Sequence, residues 1–533
     1  MCTSFGIGKK ATATGAVMVS HSVDGWYDHQ LNYIAGGDFE QGAKEEIFGD
    51  TCTATRVELP VRKLGEIDQV SHTNGYFHIG YPFLNEKGLT IGEHTWVGRD
   101  ELVCEKGLFY IANLQILGLK RTTKAKDCVQ LMGDLAVKHG YRDVGECLIV
   151  GDEEEVWVLE ICGPGKDWTP ESGKPGAYWI ARRLPDDCFF VGANRSRMGV
   201  VDFDAPETDQ IMGPGMREFA AGQGWWKEGE EFNFTTLFDP KSKGHTYYAS
   251  RREWRALSLL APSGDWKPVD DQIAYPQFVR PDEPITVQKM IALYADHYEG
   301  TPFDLTQGPA AGPFHNPTRW SQEQDKLPED MKGLDWERPI AIFRCSYSFI
   351  AEVRSWLPEP IRTCLWIGLD AQDTTVYTPL YNGTRDIPES WTTSDQTHYS
   401  RESCWWAFNL VRNWACLRWD AMYEEIKEQK AELENAFFTR QPFIEAGIVA
   451  AFEKDPVLAR KMACRYSEDR MRQVFNTWRD FGDYLISRYH NGMRLTDEGA
   501  RFNPGYPAEW LKTTDFGDHI SQRNTDVSSD MPW

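Results

Sequence analysis

The sequence predicts an α+β chain: a body of short strands with interspersed helices, followed by a long helical hairpin. Two patterns carry this. Up to about Val200, short apolar runs alternate with turn residues. After about Trp405 the apolar positions recur at helical spacing among many charges.

The elements follow in order. Residues 16–20 (AVMVS) form a short apolar run that reads as a strand. Asn85-Glu86-Lys87-Gly88 is a turn, and residues 89–97 after it alternate as a strand does. Residues 126–141 place Val129, Met132, Leu135 and Ala136 on one side of a helix. Residues 147–150 and 155–161 pair around the acidic turn Gly151-Asp152-Glu153-Glu154. Strands are expected over 178–182 and 189–193, and a helix over 285–298. Residues 300–338, rich in Pro, Gly and Asp, predict a long ordered loop, and strands resume at 339–344, 364–369 and 375–381. In the hairpin, residues 414–438 carry Met422, Ile426, Leu433 and Phe437 on one stripe. Asp455 and Pro456 read as N-cap and first position of a second helix, with Leu458, Met462, Met471, Val474, Trp478, Phe481 and Leu485 on its face and Gly492 as its stop. Trp405, Trp406, Trp414, Trp419 and Trp478 are read as packing anchors, since apolar helix stripes face a core. Three segments result: a body over 2–400, the helical hairpin over 401–495 and a tail over 496–533.

Composition narrows the function. The 533 residues include 57 Lys and Arg against 80 Asp and Glu, a formal net charge of -23. That balance argues against nucleic acid or an anionic membrane as the main partner, because both attract positive charge. The start lacks the apolar segment of a secretory signal, and no run of 18 apolar residues appears, so a cytoplasmic protein is expected. The 12 cysteines are scattered without a CxxC pair, which suits reduced, buried thiols rather than a disulfide framework or a zinc site. No GxxxxGK[ST] loop, HExxH helix or GxSxG elbow is present. His29, His72, His78 and His94 read as ordinary polar residues.

The residue that carries chemistry is Cys2. Removal of Met1 would leave a first residue bearing both a thiol and a free α-amine. With a pKa of about 8, that amine can act as a base near neutral pH. Nucleophile and base then share one residue, the logic of N-terminal Thr, Ser and Cys hydrolases. A Cys at position 2 also occurs by chance, so the rest of the start matters.

The segment MCTSFGIGKKATATGAVMVSHSVDGWYD resembles the dipeptidase A and secernin family of N-terminal nucleophile hydrolases, through Cys2-Thr3, the Gly8 to Thr12 stretch, Gly15, and a strand leading to His21 and Asp24. Asn85-Glu86-Lys87-Gly88-Leu89 and Gly192-Ala193-Asn194-Arg195 are similar to segments of the wider group that includes bile salt hydrolases and penicillin V acylases. Residues 160–165 (EICGPG), 249–255 (ASRREWR), 356–360 and 377–381 extend the likeness to the dipeptidase family over most of the chain. The resemblance implies a four-layer αββα sandwich with additional C-terminal helices, and a cysteine-type dipeptidase that needs neither metal nor cofactor.

It also implies roles. Cys2 is the nucleophile and Asn194 an oxyanion donor. A hairpin returning to the chain start brings Asp24 toward the α-ammonium of Cys2, although Asp24-Gly25 also reads as a plain turn. His21 stands where the wider group has an Arg. Thr95 falls near a second active-site Asn of the bile salt group and is carried over as a substrate contact. Arg251 and Arg252 are the candidates for that group's second Arg, Arg251 being taken as the substrate-binding one. A dipeptide is the expected partner, with homo-oligomerisation left open. Two other readings stay open: an amidohydrolase of the same mechanism acting on N-acyl or conjugated amides, and a secernin-like protein whose role is interaction.

Overall fold

The computed structural model describes residues 2–25, 27, 29–49, 62–240, 247–269, 275–320, 323–334 and 336–514. Met1 and the end of the tail, 515–533, lie outside the described residues.

Two antiparallel sheets form the body. Their strands, numbered here along the chain, are β1 Cys2–Ile7, β2 Val17–Asp24, β3 Asn32–Ile34, β4 Tyr76–Ile79, β5 Tyr81–Asn85, β6 Thr90–Thr95, β7 Glu146–Gly151, β8 Val156–Cys162, β9 Tyr178–Arg183, β10 Phe189–Gly192, β11 Gln210–Met212, β12 Cys345–Val353, β13 Thr363–Leu369 and β14 Thr378–Tyr381. One sheet has the order β10-β1-β2-β12-β13-β14. The other is a meander, β11-β9-β8-β7-β6-β5-β4-β3. Residues of β1 and β2 are buried throughout, as are those of β7 and β8, so these strands are covered on both faces. That explains their continuous apolar runs.

The sheets stack on each other. Val17, Val19 and Phe190 of the first share one apolar cluster with Cys147, Ile149, Val156, Val158 and Ile180 of the second. Close approach needs small residues. A Cβ on Gly6 would sit 2.9 Å from side-chain carbons of both Ile149 and Val156. Helices cover the outer faces. Ile111–Arg121 (α1) and Ala125–His139 (α2) lie on the meander, with Gly133 tight against Trp179 of β9. Ser250–Leu260 (α3) and Val287–Tyr294 (α4) lie on the six-stranded sheet, as do Cys404–Ala415 (α5), Trp419–Phe452 (α6) and Pro456–Arg488 (α7). The layers therefore run helix, sheet, sheet, helix, in a mixed α+β architecture.

The C-terminal helices dock on the β13–β14 edge of the six-stranded sheet. Ser467 Oγ accepts from the Tyr381 backbone N–H at 3.1 Å, and Glu434 Oε1 accepts from that of Tyr377 at 2.9 Å. Asp455 caps α7, accepting from the N–H groups of Val457 and Leu458 at 3.0 and 3.1 Å, with Pro456 at the first helical position.

One expected strand is displaced. Residues 339–344 are not a strand; the chain enters the sheet only at Cys345. Pro339 has no N–H to give a ladder. The carbonyls of Pro339 and Ile340 are taken by the Arg338 side chain, and the N–H of Ile342 donates to Gln372 Oε1. The expected helix over 285–298 is shorter, Val287–Tyr294, capped by Thr286 accepting from Lys289 N. Among the described residues of 300–338 the regular structure consists of 3-10 turns, as expected for an ordered loop.

Candidate active site

Cys2 opens β1, opposite Val23 of β2, and Asp24 is the next residue of that strand. On the other side of β1, Ser4 faces Gly192 of β10. Extending that antiparallel register brings Asn194 level with Cys2. Asn194 adopts φ +67, a left-handed conformation that Asn tolerates better than most residues. Glu93 and Thr95 come from β6, in the sheet stacked against β1. Three distant stretches of sequence thus meet at the end of one central strand.

Arg252 ties them together. It lies on α3 with its side chain fully buried. Its Nη1 donates to the Cys2 carbonyl at 2.8 Å and to Thr3 Oγ1 at 2.9 Å. Its Nη2 donates to the Ala193 carbonyl at 3.0 Å and to Asn194 Oδ1 at 2.8 Å. Asn194 Nδ2 in turn donates to the Thr95 carbonyl at 2.9 Å. Arg251, its neighbour, pairs with Glu337 at 3.1 Å and stacks over Phe303. Beneath this layer, buried Glu253 is held by Arg195 and by Arg197, the latter at 2.8 Å. That network fixes α3 to the chain leaving β10.

Asp24 forms a buried ion pair with Arg338, at the end of the long loop. A small cavity of about 50 Å³ opens beside Arg338, with Tyr248, Trp336, Glu337, Arg344 and Arg412 in its wall.

The Cys2 thiol donates to Glu93 Oε1 at 2.8 Å, and His21 Nε2 lies 3.1 Å from the same oxygen. Burial, reinforced by Glu93, pushes the thiol well above its ordinary value, so the group rests protonated. Burial alone would raise Glu93 too, but the close approach and charge of His21, with the bond from Cys2, hold it down to about 2. Neighbouring Glu146 is pushed well up, by burial first and then by Glu93, so this carboxyl pair keeps a proton on Glu146. His21 is packed among Tyr81, Tyr347 and Phe349. The atoms Cys2 Sγ, His21 Nε2 and a Glu93 oxygen all lie within 4.8 Å of one another, so these three side chains are able to hold a metal ion. Sequence spacing gives no metal motif because the three come from different strands.

His94, beside Glu93, shares a hydrogen bond of 2.7 Å with Ser4 Oγ; burial lowers its pKa to about 4 and keeps it neutral. Among the described residues every cysteine is a free thiol, and no helix is long and apolar enough to cross a membrane.

Of the residues expected from sequence, Cys2, His21, Asp24, Asn194 and Thr95 are brought together at one end of β1, and the Arg251 side chain pairs with Glu337, in the wall of the cavity beside Arg338. Sequence reasoning missed Glu93, Glu146 and Arg338. Arg252 was legible only as one of two adjacent arginines.

The profile of peptidase family C69 matches residues 1–432. The chain is 23% identical over 408 residues to a probable dipeptidase of Latilactobacillus sakei, covering 73% of this chain and 76% of that protein. It is 26% identical over 393 residues to a probable dipeptidase of Salmonella dublin, covering 72% and 81%. It is 22% identical over 419 residues to dipeptidase A of Lactobacillus helveticus, covering 75% and 79%. With most of its length matched, and with the resemblance of its first residues pointing the same way, this chain belongs to peptidase family C69.

Proposed function

We propose that the protein is a dipeptidase of the N-terminal nucleophile class, with Cys2 as nucleophile after removal of Met1. The observation that carries this reading is the guanidinium of Arg252, which bridges the Cys2 carbonyl and the Asn194 amide. It aligns the nucleophile with an oxyanion donor in a buried frame. The stacked sheets between helix layers fit the sandwich expected of this class. Dipeptide as substrate rests on the names of the relatives.

The chemistry runs as follows. The α-amine of Cys2 takes the thiol proton, and Sγ attacks the peptide carbonyl carbon. The carbonyl π electrons move to oxygen, and the oxyanion accepts the second Asn194 amide N–H, the one not given to Thr95. The C–N bond breaks as the α-ammonium returns its proton to the leaving amine. A thioester remains. Water, deprotonated by the same amine, attacks it and releases the acid, and Sγ recovers its proton. Asp24, paired with Arg338, lies next to the chain start and serves as the anion that steadies the ammonium form.

A panel of dipeptides and N-acyl amides, run on wild-type and Cys2→Ala protein with excess chelator, tests the reading. Turnover of dipeptides that survives the chelator and vanishes in Cys2→Ala is the expected result. Preference for acyl amides would shift the substrate class. A second reading, an interaction protein without turnover, draws on the burial of Cys2, which is 1% exposed. Failure of alkylating agents to modify Cys2 under native conditions would favour it.

A further inference from the structure

We propose that Cys2, His21 and Glu93 form a binding site for a thiophilic divalent cation, Zn²⁺ being the natural fit, and that its occupancy silences the nucleophile. The silencing rests on the peptidase reading above; the coordination does not.

Three observations support the site. First, the donors converge. Glu93 Oε1 lies 2.8 Å from Cys2 Sγ and 3.1 Å from His21 Nε2. Tetrahedral zinc, with bonds of about 2.0–2.3 Å, sets such donors about 3.3–3.6 Å apart. Each of these two pairs therefore needs to spread by less than about 1 Å, within reach of small side-chain rotations, and Cys2 Sγ and His21 Nε2 lie within 4.8 Å of each other. Second, His21 Nε2 is buried and makes no well-directed hydrogen bond despite its closeness to Glu93. An imidazole nitrogen held in this way gains a partner when an ion enters. Third, the donor types select the ion. A thiolate and an imidazole suit zinc and exclude magnesium or calcium, which take oxygen ligands. Thiolate and carboxylate together also balance the double positive charge.

Binding exchanges one bond for another: the S–H bond breaks, its proton leaves to solvent, and a sulfur–metal bond forms. In a chain that begins at Cys2 the α-amine is a fourth donor, closing a five-membered ring with the thiolate; otherwise water completes the set. Either way the sulfur lone pair needed for attack is engaged. The arrangement depends on His21 and Glu93 standing together.

Cobalt titration of metal-free protein tests the site, because cobalt bound to thiolate absorbs in the near ultraviolet. One Co²⁺ per chain is expected, displaced by Zn²⁺. The thiolate band should vanish in Cys2→Ser, and affinity should fall by at least about tenfold in Glu93→Gln and His21→Gln, no less than the loss of an outer-shell partner costs. Glu93→Gln keeps size and shape, so it reads the ligand role without repacking the site. A thiolate band that persists in Cys2→Ser would assign the ion to other cysteines and overturn the proposal, as would the absence of any band at millimolar Co²⁺. Zinc should inhibit dipeptide turnover at the concentration that displaces cobalt. A band at Cys2 in a protein without turnover would uphold the site and count against the peptidase reading alone.

Discussion

Arg252 Nη2 donates to Asn194 Oδ1 at 2.8 Å, and this bond decides which way the Asn194 amide faces. A guanidinium has only donors, so the amide must turn its oxygen toward Arg252 and its NH₂ group away. That NH₂ group already gives one hydrogen to the Thr95 carbonyl at 2.9 Å, which leaves the other for the oxyanion in the mechanism we propose. The donor is thus oriented before substrate arrives, which is the condition under which such donors are effective.

Replacing Asn194 by Ala should lower kcat by about 10²–10³-fold with little change in KM, because the bond is made only once charge develops on the carbonyl oxygen. Steady-state kinetics on a dipeptide measure this. A rise in KM with kcat intact would assign Asn194 to ground-state binding instead.

Arg252→Met should damage both stability and turnover. The five acceptors that the guanidinium satisfies, on Cys2, Thr3, Ala193, Asn194 and Tyr248, would lose their donor. Each buried acceptor left unpaired costs about 1–3 kcal/mol. Arg252→Lys should recover part of the stability, but a single ammonium cannot span the fork and turnover should stay low. Thermal melts and kcat, taken together on the two variants, check this. Wild-type turnover in Arg252→Lys would sink the positioning role.

Stability should fall on acidification before most carboxylates titrate. Burial holds His29 at about 3, and His78 and His94 at about 4. These lie below the unfolded value of about 6.5, so the unfolded chain binds more protons between the two. The stability they contribute is complete above about pH 6.5 and is lost as pH falls toward 4, about 3 kcal/mol for His94 alone. His297 has the opposite sign. Burial opposes its charge, but hydrogen bonds to Asp373 and Glu299 raise it to about 9. Its contribution is full below about 6.5 and drains as pH rises through 9. Urea unfolding between pH 4.5 and 9.5 should trace a dome, and a flat profile from pH 7 down to 5 would contradict the burial assigned to the three histidines.

Gly192→Ala should disrupt the site from below. A Cβ there would meet the His94 ring at 2.0 Å, and that ring is held by Ser4. Overpacking of this kind costs about 1–3 kcal/mol or more. A melting temperature equal to wild type would mean that the two sheets move apart easily at this point.

Several of these relationships were legible in the sequence and others were not, for physical reasons. The pairing of Cys2 with the end of β2 follows from chain order, since a short hairpin must return there. The helix cap at Asp455 and the buried stripe of α7 through Met471, Val474, Trp478, Phe481 and Leu485 are likewise local, whereas Leu458 and Met462 of the expected face lie exposed near the start of the helix. Glu93 was invisible because its partners, Cys2 and His21, lie in the other sheet and only stacking brings them together. Arg251 and Arg252 are adjacent on a helix, so their side chains diverge by about 100°. Which of them reaches Cys2 depends on how α3 docks, a tertiary fact. The strand expected at 339–344 on its apolar content does not form, because Pro339 has no N–H for a ladder and the Arg338 side chain takes the carbonyls of Pro339 and Ile340. The true strand, β12, was obscured by Ser346, Ser348 and Glu352, which are buried there; Ser348 meets the Tyr377 hydroxyl at 2.8 Å and Glu352 accepts from Thr14 at 2.7 Å.

The most direct test of Cys2 as an N-terminal nucleophile compares two preparations by intact mass and dipeptide turnover: chain beginning at Cys2, and chain with Met1 or a tag retained before it. An attached residue turns the basic α-amine into an amide, and loss of a general base costs about 10²–10⁴-fold in rate. Turnover confined to the chain that starts at Cys2 is the predicted result. Equal turnover in protein whose mass shows the extra residue still attached would contradict the account.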